Sequence, residues 1–421
     1  MMIRYRKRSM MIRYLVLLIL FTVMGSCADT ELARFEVTAG EYDRQDWPVR
    51  VEVPPLAADL EEAVGLFELT PGGRAPVPFQ LDFEDGTAVI RFMATGVTSR
   101  GTTREYVLLK RRGKQPVTLP VATMQQDENE LILSDASQPV LSYRISEIMP
   151  PEGVDSVFRR SAYIHPFYSP GGMVLTRIQP PDHYHHYGIW NPWTLTHING
   201  REIDYWNLGK GEGTVRTKAV LETVEGPVFS AYTALQQHID KGHTTGERVT
   251  MDEFWEVTYW GKSADGKRYI LDLHTTLRNV LQDTILFDAY RYGGGLGYRA
   301  TGEWNNENST VLTSEGADRA TADGTRARWC IVEGASPVKE GRSGILFMSH
   351  PENREHPEPM RVWPPDSNHG ELFFEFCPIR HNDWVILPGR DYLLKYRMVV
   401  FDGAITAEEA ERYWNGFAYA E

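Results

Sequence analysis

Leu393-Leu394-Lys395-Tyr396-Arg397-Met398-Val399-Val400 reads as a strand, because aromatic, β-branched and long apolar side chains crowd it without helical spacing. The same signal recurs in Glu130-Leu131-Ile132-Leu133, Val140-Leu141-Ser142-Tyr143-Arg144, Tyr269-Ile270-Leu271-Asp272-Leu273 and Gly344-Ile345-Leu346-Phe347-Met348. Helical periodicity is almost absent between these runs. It surfaces only at the end, where Thr406 and Glu409 make a capping box and Ala410, Tyr413, Trp414 and Phe417 repeat at helical spacing. That short C-terminal helix should lay one face on a sheet. Regular strands with so little helix predict an all-β chain, with a large antiparallel β-sandwich over residues 121–421 rather than alternating β/α units.

Residues 34–120 carry shorter β-rich runs, such as Phe35-Glu36-Val37-Thr38 and Val49-Arg50-Val51-Glu52-Val53, broken by Pro and Gly. They predict a small Ig-like β-sandwich module. Its last strand, Glu105-Tyr106-Val107-Leu108-Leu109-Lys110, ends at the basic Arg111-Arg112-Gly113-Lys114-Gln115-Pro116 boundary, and Leu60-Glu61-Glu62-Ala63-Val64 reads as a short helix. No catalytic constellation falls here, so the module reads as support.

The N-terminus is an export signal. A basic run (Arg4, Arg6, Lys7, Arg8, Arg13) precedes the apolar Leu15-Val16-Leu17-Leu18-Ile19-Leu20-Phe21, too short to span a bilayer, and then Val23-Met24-Gly25-Ser26-Cys27. Small residues directly before a cysteine resemble a bacterial lipobox. On that reading residues 1–26 are a lipoprotein signal peptide, Cys27 carries the lipid, residues 27–33 are a tether, and the protein is exported and anchored to the membrane through the lipid alone. Removing residues 1–26 takes away five basic and no acidic residues, which moves the formal net charge from −13 to −18. So acidic a body lacks the basic surface that nucleic acid requires. Cys330 and Cys377 remain, either as one disulfide or as two buried thiols.

Chemistry concentrates in Pro180-Pro181-Asp182-His183-Tyr184-His185-His186-Tyr187-Gly188-Ile189-Trp190. Imidazole exchanges protons near neutrality and is the commonest metal ligand. If residues 182–187 are extended, His183 and His185 share a face; if they form one helical turn, His183 and His186 are neighbours. Three uses follow. The imidazoles serve acid/base catalysis with no cofactor, or they hold a divalent metal ion with help from His165, Asp204 or His350, or they form a hydrogen-bonded structural cluster. Trp190, Trp193 and Trp206 fall within 17 residues and supply flat faces suited to sugar rings. Tyr290-Arg291-Tyr292-Gly293-Gly294-Gly295-Leu296-Gly297-Tyr298-Arg299 lacks the Lys and Ser/Thr of a phosphate loop, and reads as a glycine-rich strand or turn allowing close backbone approach. Further on, Ser349-His350-Pro351 and Phe373-Phe374-Glu375-Phe376 add a histidine and a carboxylate.

Together Tyr163-Ile164-His165-Pro166, Ser169-Pro170-Gly171-Gly172, the 182–190 run, Asp204-Tyr205-Trp206-Asn207, Gly293–Arg299 and Ala327-Arg328-Trp329 resemble the signature of a bacterial family known as a domain of unknown function, DUF6807, over about residues 125–405. Its members carry the labels "PmoA-like" and "methane oxygenase". The oxygenase label does not fit, because nothing after the signal is long and apolar enough to cross a bilayer. The resemblance implies an exported protein of polysaccharide-degrading bacteria, similar to the large β-sandwiches of sugar mutarotases, glycosidases and polysaccharide lyases. Tyr184 and Tyr187 depart from the family pattern and gain no role from it. The expected function is that of a glycoside hydrolase or lyase acting on an oligosaccharide or glycoside. His183, His185, His186 and His165 would transfer protons, Trp190, Trp193 and Trp206 would bind the sugar, and Arg177, Arg299 and Glu375 would fix its hydroxyl or carboxylate groups. A glycan-binding lipoprotein without catalysis is the alternative, and a metal enzyme the third.

Overall fold

The computed structural model describes residues 29–53, 64–84, 86–110 and 119–419. The signal sequence, Cys27, the 111–116 boundary and the helix expected from Leu60 lie outside these residues; Val64 is already in a strand.

Two small sheets form the N-terminal module. One orders its strands as Thr30–Thr38, Thr103–Lys110, Val64–Thr70 and Gly73–Val77; the other as Arg44–Val53, Thr87–Thr98 and Phe79–Glu84. Their alternating residues meet in a core that includes Trp47, Ile90, Phe92, Tyr106 and Leu108. The first strand begins at Thr30, inside the stretch expected to be a tether. Thr30 to Ala33 pairs with Leu108 to Lys110, and Leu32 and Ala33 pack on the module core, so this segment is structure rather than spacer.

The main body is a sandwich. An eight-stranded antiparallel sheet runs Gly213–Glu225, Ser230–Asp240, Arg248–Lys262, Arg268–Asn279, Asp391–Asp402, Arg342–Ser349, Trp329–Ala335, Ser309–Thr313. Facing it is a nine-stranded sheet that includes, in order, Glu358–Val362, Phe373–Phe376, Leu296–Arg299, Ile189–Trp190, Ile164–Phe167 and Gln138–Arg144. Period-two alternation sends Leu296, Tyr298, Phe374, Phe376 and Ile189 into the shared core. There Phe374 stacks on Phe347 at 4.7 Å and Phe376 on Tyr396 at 5.7 Å. The alternate residues, Arg299, Phe373, Glu375 and Trp190, therefore point to the opposite face, and that face carries the histidines. Among the described residues no helix is long and apolar enough to cross a membrane, and Cys330 and Cys377 are separate buried thiols.

The expected helix spans Ala407–Ala418, capped by Thr406, whose hydroxyl accepts from Glu409 N at 3.1 Å. Ala410, Tyr413, Trp414 and Phe417 bury against Ile331, Leu346, Val399 and Phe401 on the outer face of the eight-stranded sheet. The opposite flank meets the small module. Asn415 donates to Asp43 O, Arg412 to Gln45 Oε1, and Gly416 lets Trp47 approach so closely that a Cβ would stand 2.9 Å from Trp47 Cβ.

Glu358 lies between the two large sheets without solvent exposure, accepting from Tyr396 and Asn353 at 2.9 and 3.0 Å and from Ser349. Burial pushes its carboxyl up from 4.5 to about 7, against the pull of these donors. A carboxyl with a raised folded pKa contributes stability that is full below about 4.5 and lost as pH rises through about 7. Glu358→Gln should remove that loss. Between pH 5 and pH 8 the wild type should lose on the order of 2–3 kcal/mol more unfolding free energy than the variant, read from urea titrations at both pH values.

Candidate active site

Residues 180–186 form two tight turns, with His183 N donating to Pro180 O at 2.9 Å and His186 N to His183 O at 3.0 Å. Pro180 and Pro181 suit such a segment because neither supplies a backbone donor. The ends of the turns are clamped: Gln179 N donates to His186 O and Gly188 N to Arg177 O, at 2.8 and 2.9 Å. The segment is neither the extended run nor the single helical turn expected from sequence, but two consecutive tight turns, and these gather all three imidazoles. Ring centroids stand 4.7 Å apart for His183 and His186, 4.8 Å for His185 and His186, and 5.3 Å for His183 and His185. One nitrogen from each ring lies within 4.8 Å of the others, a grouping that could hold a metal ion.

His186 is buried at the base, against Trp190, Trp206, Trp363 and Phe373. His183 and His185 are half-buried and form the open side. Burial, reinforced by the neighbouring histidines and the Arg299 charge, holds His185 down at about 3 and His186 well below its usual range, so both stay uncharged at neutral pH. His183 Nδ1 is 2.7 Å from Asp182 Oδ2. A carboxylate only accepts, so Nδ1 carries the proton and, in the uncharged ring, Nε2 keeps its lone pair. Burial acts to raise the Asp182 pKa, but the His183 hydrogen bond and the Arg299 charge outweigh it and hold the group well below the carboxylate range.

Arg299 comes from the sheet and is fully buried. Its NH2 donates to Asp182 Oδ2 at 3.0 Å and also to Glu371 Oε2, its guanidinium lies 4.6 Å from the Trp363 ring centroid, and burial lowers its pKa to about 10. NH1 is 3.4 Å from His186 Nδ1. Arg177 donates to Glu371 Oε1 at 2.9 Å and stands 3.6 Å from Asp182. Two arginines and two carboxylates thus form one closed network that fixes the turn. Both arginines adjoin the histidines, but with their charge already matched.

Other expected site residues sit differently. Trp190 and Trp206 line the cluster, yet both are buried and their surroundings are filled by His186, Phe373 and Tyr292, so neither offers a free face as a sugar platform. Trp193 is on the other side, in the main core, stacked on Phe287 at 4.4 Å. Gly294, at φ +81°, leaves room for that indole; a Cβ there would stand 1.9 Å from it. Glu375 is buried and pushed well above the carboxylate range by burial; its Oε1 accepts from Gly293 N at 2.7 Å. Cys377 Sγ reaches Gly293 O at 3.2 Å. Glu375 is therefore a staple for the glycine-rich turn, which carries Tyr292 to Trp206, rather than a group facing solvent. His165 bonds Thr176 Oγ1 at 2.8 Å and is not one of the converging set. His350 packs on Phe417 of the C-terminal helix, and Asp204 caps its own turn by accepting from Trp206 N and Asn207 N. Glu371, Trp363 and Phe373 also belong to the site; of these only Phe373 carried a sequence signal, in the aromatic run around Glu375. Asp182 did as well, by standing next to His183.

Beneath the site, Glu253 of the eight-stranded sheet is fully buried. It accepts from Asn191 Nδ2, Thr275 Oγ1 at 2.6 Å, Trp255 Nε1 at 2.7 Å and His238 Nε2 at 2.7 Å. Burial acts to raise its pKa, but the His238 bond and charge outweigh that and keep it low.

Residues 131–415 match a family described as "Family of unknown function (DUF6807)". No curated protein matches the chain. Among solved structures it is similar to the heparan sulfate lyase HepC from Pedobacter heparinus (TM-score 0.31, 8% identity, 70% of this chain and 38% of that one). It is also similar to the GH36 α-galactosidase AgaA from Geobacillus stearothermophilus (TM-score 0.28, 9% identity, 67% of this chain and 41% of that one). The chain spans less than half the length of either.

Asn191 directly follows Trp190, so the Glu253 bond ties the site segment to the opposite sheet. Glu253→Ala should strand four buried donors and cost about 3–5 kcal/mol in urea unfolding, with tryptophan emission reporting a loosened site before global unfolding.

Proposed function

The chain belongs to the DUF6807 family, and from its histidine site we propose that it is an enzyme acting on an oligosaccharide or glycoside, by hydrolysis or elimination. The observation that carries this reading is the convergence of three imidazoles, one of them backed by Asp182, at the open edge of an aromatic wall. Hydrolysis and elimination both need protons moved to and from a leaving oxygen or an attacked C–H or water, and a positioned imidazole cluster supports such transfer. The half-buried rings of Phe158, Tyr184 and Tyr292 border the cluster and supply the partly open aromatic surface that Trp190 and Trp206 lack. Arg177, still partly open beside Glu371, is the polar group best located for a sugar hydroxyl or carboxylate.

Incubation with a panel of oligosaccharides, read by mass spectrometry, tests the proposal. New products are expected; elimination is recognised by products whose combined mass is lower by one water than those of hydrolysis. His185→Ala should cut the rate at least about 10²-fold with little change in melting temperature. An oligosaccharide that binds yet persists unchanged makes the protein a glycan binder, and absence of both binding and turnover removes carbohydrate from the reading.

The site works outside the cytoplasm in this proposal, with a lipid on Cys27 as the anchor. Stable attachment needs more than one acyl chain, at about 0.8 kcal/mol per buried CH₂, and the acidic body gains nothing from anionic lipid. Cys27→Ser should shift the protein from the membrane pellet to the soluble fraction or leave the signal uncleaved. A wild type already soluble, with another mature N-terminus, would mean plain secretion.

A further inference from the structure

We infer that His183, His185 and His186 together bind a single divalent transition-metal ion of the zinc class. The inference rests on the proposal above in taking the cluster as reaction centre, and it changes the imidazoles' part: they would hold the ion, which would supply an acidified water in place of proton transfer by the rings themselves.

Three imidazole rings crowd together on these turns. Among the described residues no hydrogen bond joins any two of them; their polar contacts run outward, from His183 to Asp182 and from His186 to Arg299. A hydrogen-bonded structural cluster, one of the three uses considered from sequence, therefore does not account for the arrangement. A shared ion does. Three imidazoles on a tetrahedral centre at about 2.0–2.1 Å per bond have their nitrogens about 3.4 Å and their ring centroids about 5 Å apart. The observed centroids, 4.7, 4.8 and 5.3 Å apart, bracket the latter value. The donor nitrogens, all within 4.8 Å, need only small side-chain rotations to reach the former.

The surroundings fit as well. Asp182 accepts from Nδ1 of His183, which frees Nε2 for a metal and fixes the ring, the outer carboxylate–histidine contact common around metal sites. Arg177 and Arg299 would repel a cation, but Asp182 and Glu371 pair with both, so these four groups sum to zero. Arg299 NH1 is near the outer limit of hydrogen bonding from His186, too far to fix that ring's tautomer. Trp190, Trp206, Trp363 and Phe373 close the back of the cluster while His183 and His185 leave the front open, so three protein ligands and one exchangeable position are available. All-nitrogen donors suit zinc, copper, nickel or iron and exclude calcium and magnesium, which take oxygen.

The test uses full-length tag-free protein, stripped with a chelator, dialysed, and titrated with zinc chloride by calorimetry, with bound metal counted by elemental mass spectrometry. One equivalent of zinc is expected. His183→Ala and His185→Ala should each weaken binding at least about 100-fold and Asp182→Asn about 10- to 100-fold. His381→Ala, at an exposed histidine elsewhere, should change nothing. Circular dichroism checks the fold of each variant, and Asp182→Asn carries the test if an alanine variant does not fold. Stripped wild-type protein that takes up no stoichiometric zinc, or binding that survives both His185→Ala and Asp182→Asn, overturns the inference. The oligosaccharide panel separates the two claims: turnover by metal-free protein removes the metal and leaves the substrate, whereas stoichiometric zinc without any turnover removes the substrate and leaves the metal.

Discussion

A carboxylate with no access to water must find all its partners inside the protein, and Glu253 does so by drawing on four different segments. Trp255 lies on its own strand, and Thr275 and His238 on the two strands that flank it in the same sheet. Asn191 does not: it comes from the far sheet, one residue past the indole that backs the histidines. The network is satisfied only if the two layers meet in one register at this point. The positions of Trp190 and of the turns before it follow from that, as does the separation of Trp190 from Trp193, which passes to the opposite side of the sheet.

Above this anchor the site is built on matched charge. Asp182 and Glu371 share the two guanidinium groups, and the aromatic shell raises the cost of leaving any of the four unpaired. Arg177 and Arg299 therefore act first on the shape of the turn. His185 and His186, kept uncharged by burial and by the nearby guanidinium, retain lone pairs for proton or metal at neutral pH. A positive charge that would be a liability near a reactive imidazole thus maintains it in the free-base form.

The sequence made the strands legible because their apolar alternation and β-branched content are local properties, and the helix because Thr406, Glu409 and the four spaced apolar residues sit within a dozen positions. The histidine cluster was legible for the same reason, but not the pair of tight turns that shapes it. What could not be read was which face each aromatic takes. Trp190 and Trp193 look equivalent in a list, but one residue of register decides between site and core, and residue type says nothing about whether a ring face is already covered. Phe373 reaches the histidines through two successive strand pairings, with Arg299 and from that strand to Trp190, and Trp363 and Glu371 flank the paired strands, an arrangement with no local trace. Thr30–Ala33 looked like spacer because it is short and mixed in polarity; only its partner strand makes it β.

The order of strands in the eight-stranded sheet has a temporal side. Asp391–Asp402 lies between Arg268–Asn279 and Arg342–Ser349, with four strands on one side and three on the other. Seven strands precede it in the chain, yet without it they form two separate ribbons with open inner edges. The helix that covers the same sheet and seats the small module comes later still. A ribosome delivers both only after the other seven strands, so the two ribbons stay unjoined until then, and one closure completes the sheet, its cover and the docking of the earlier-made module together.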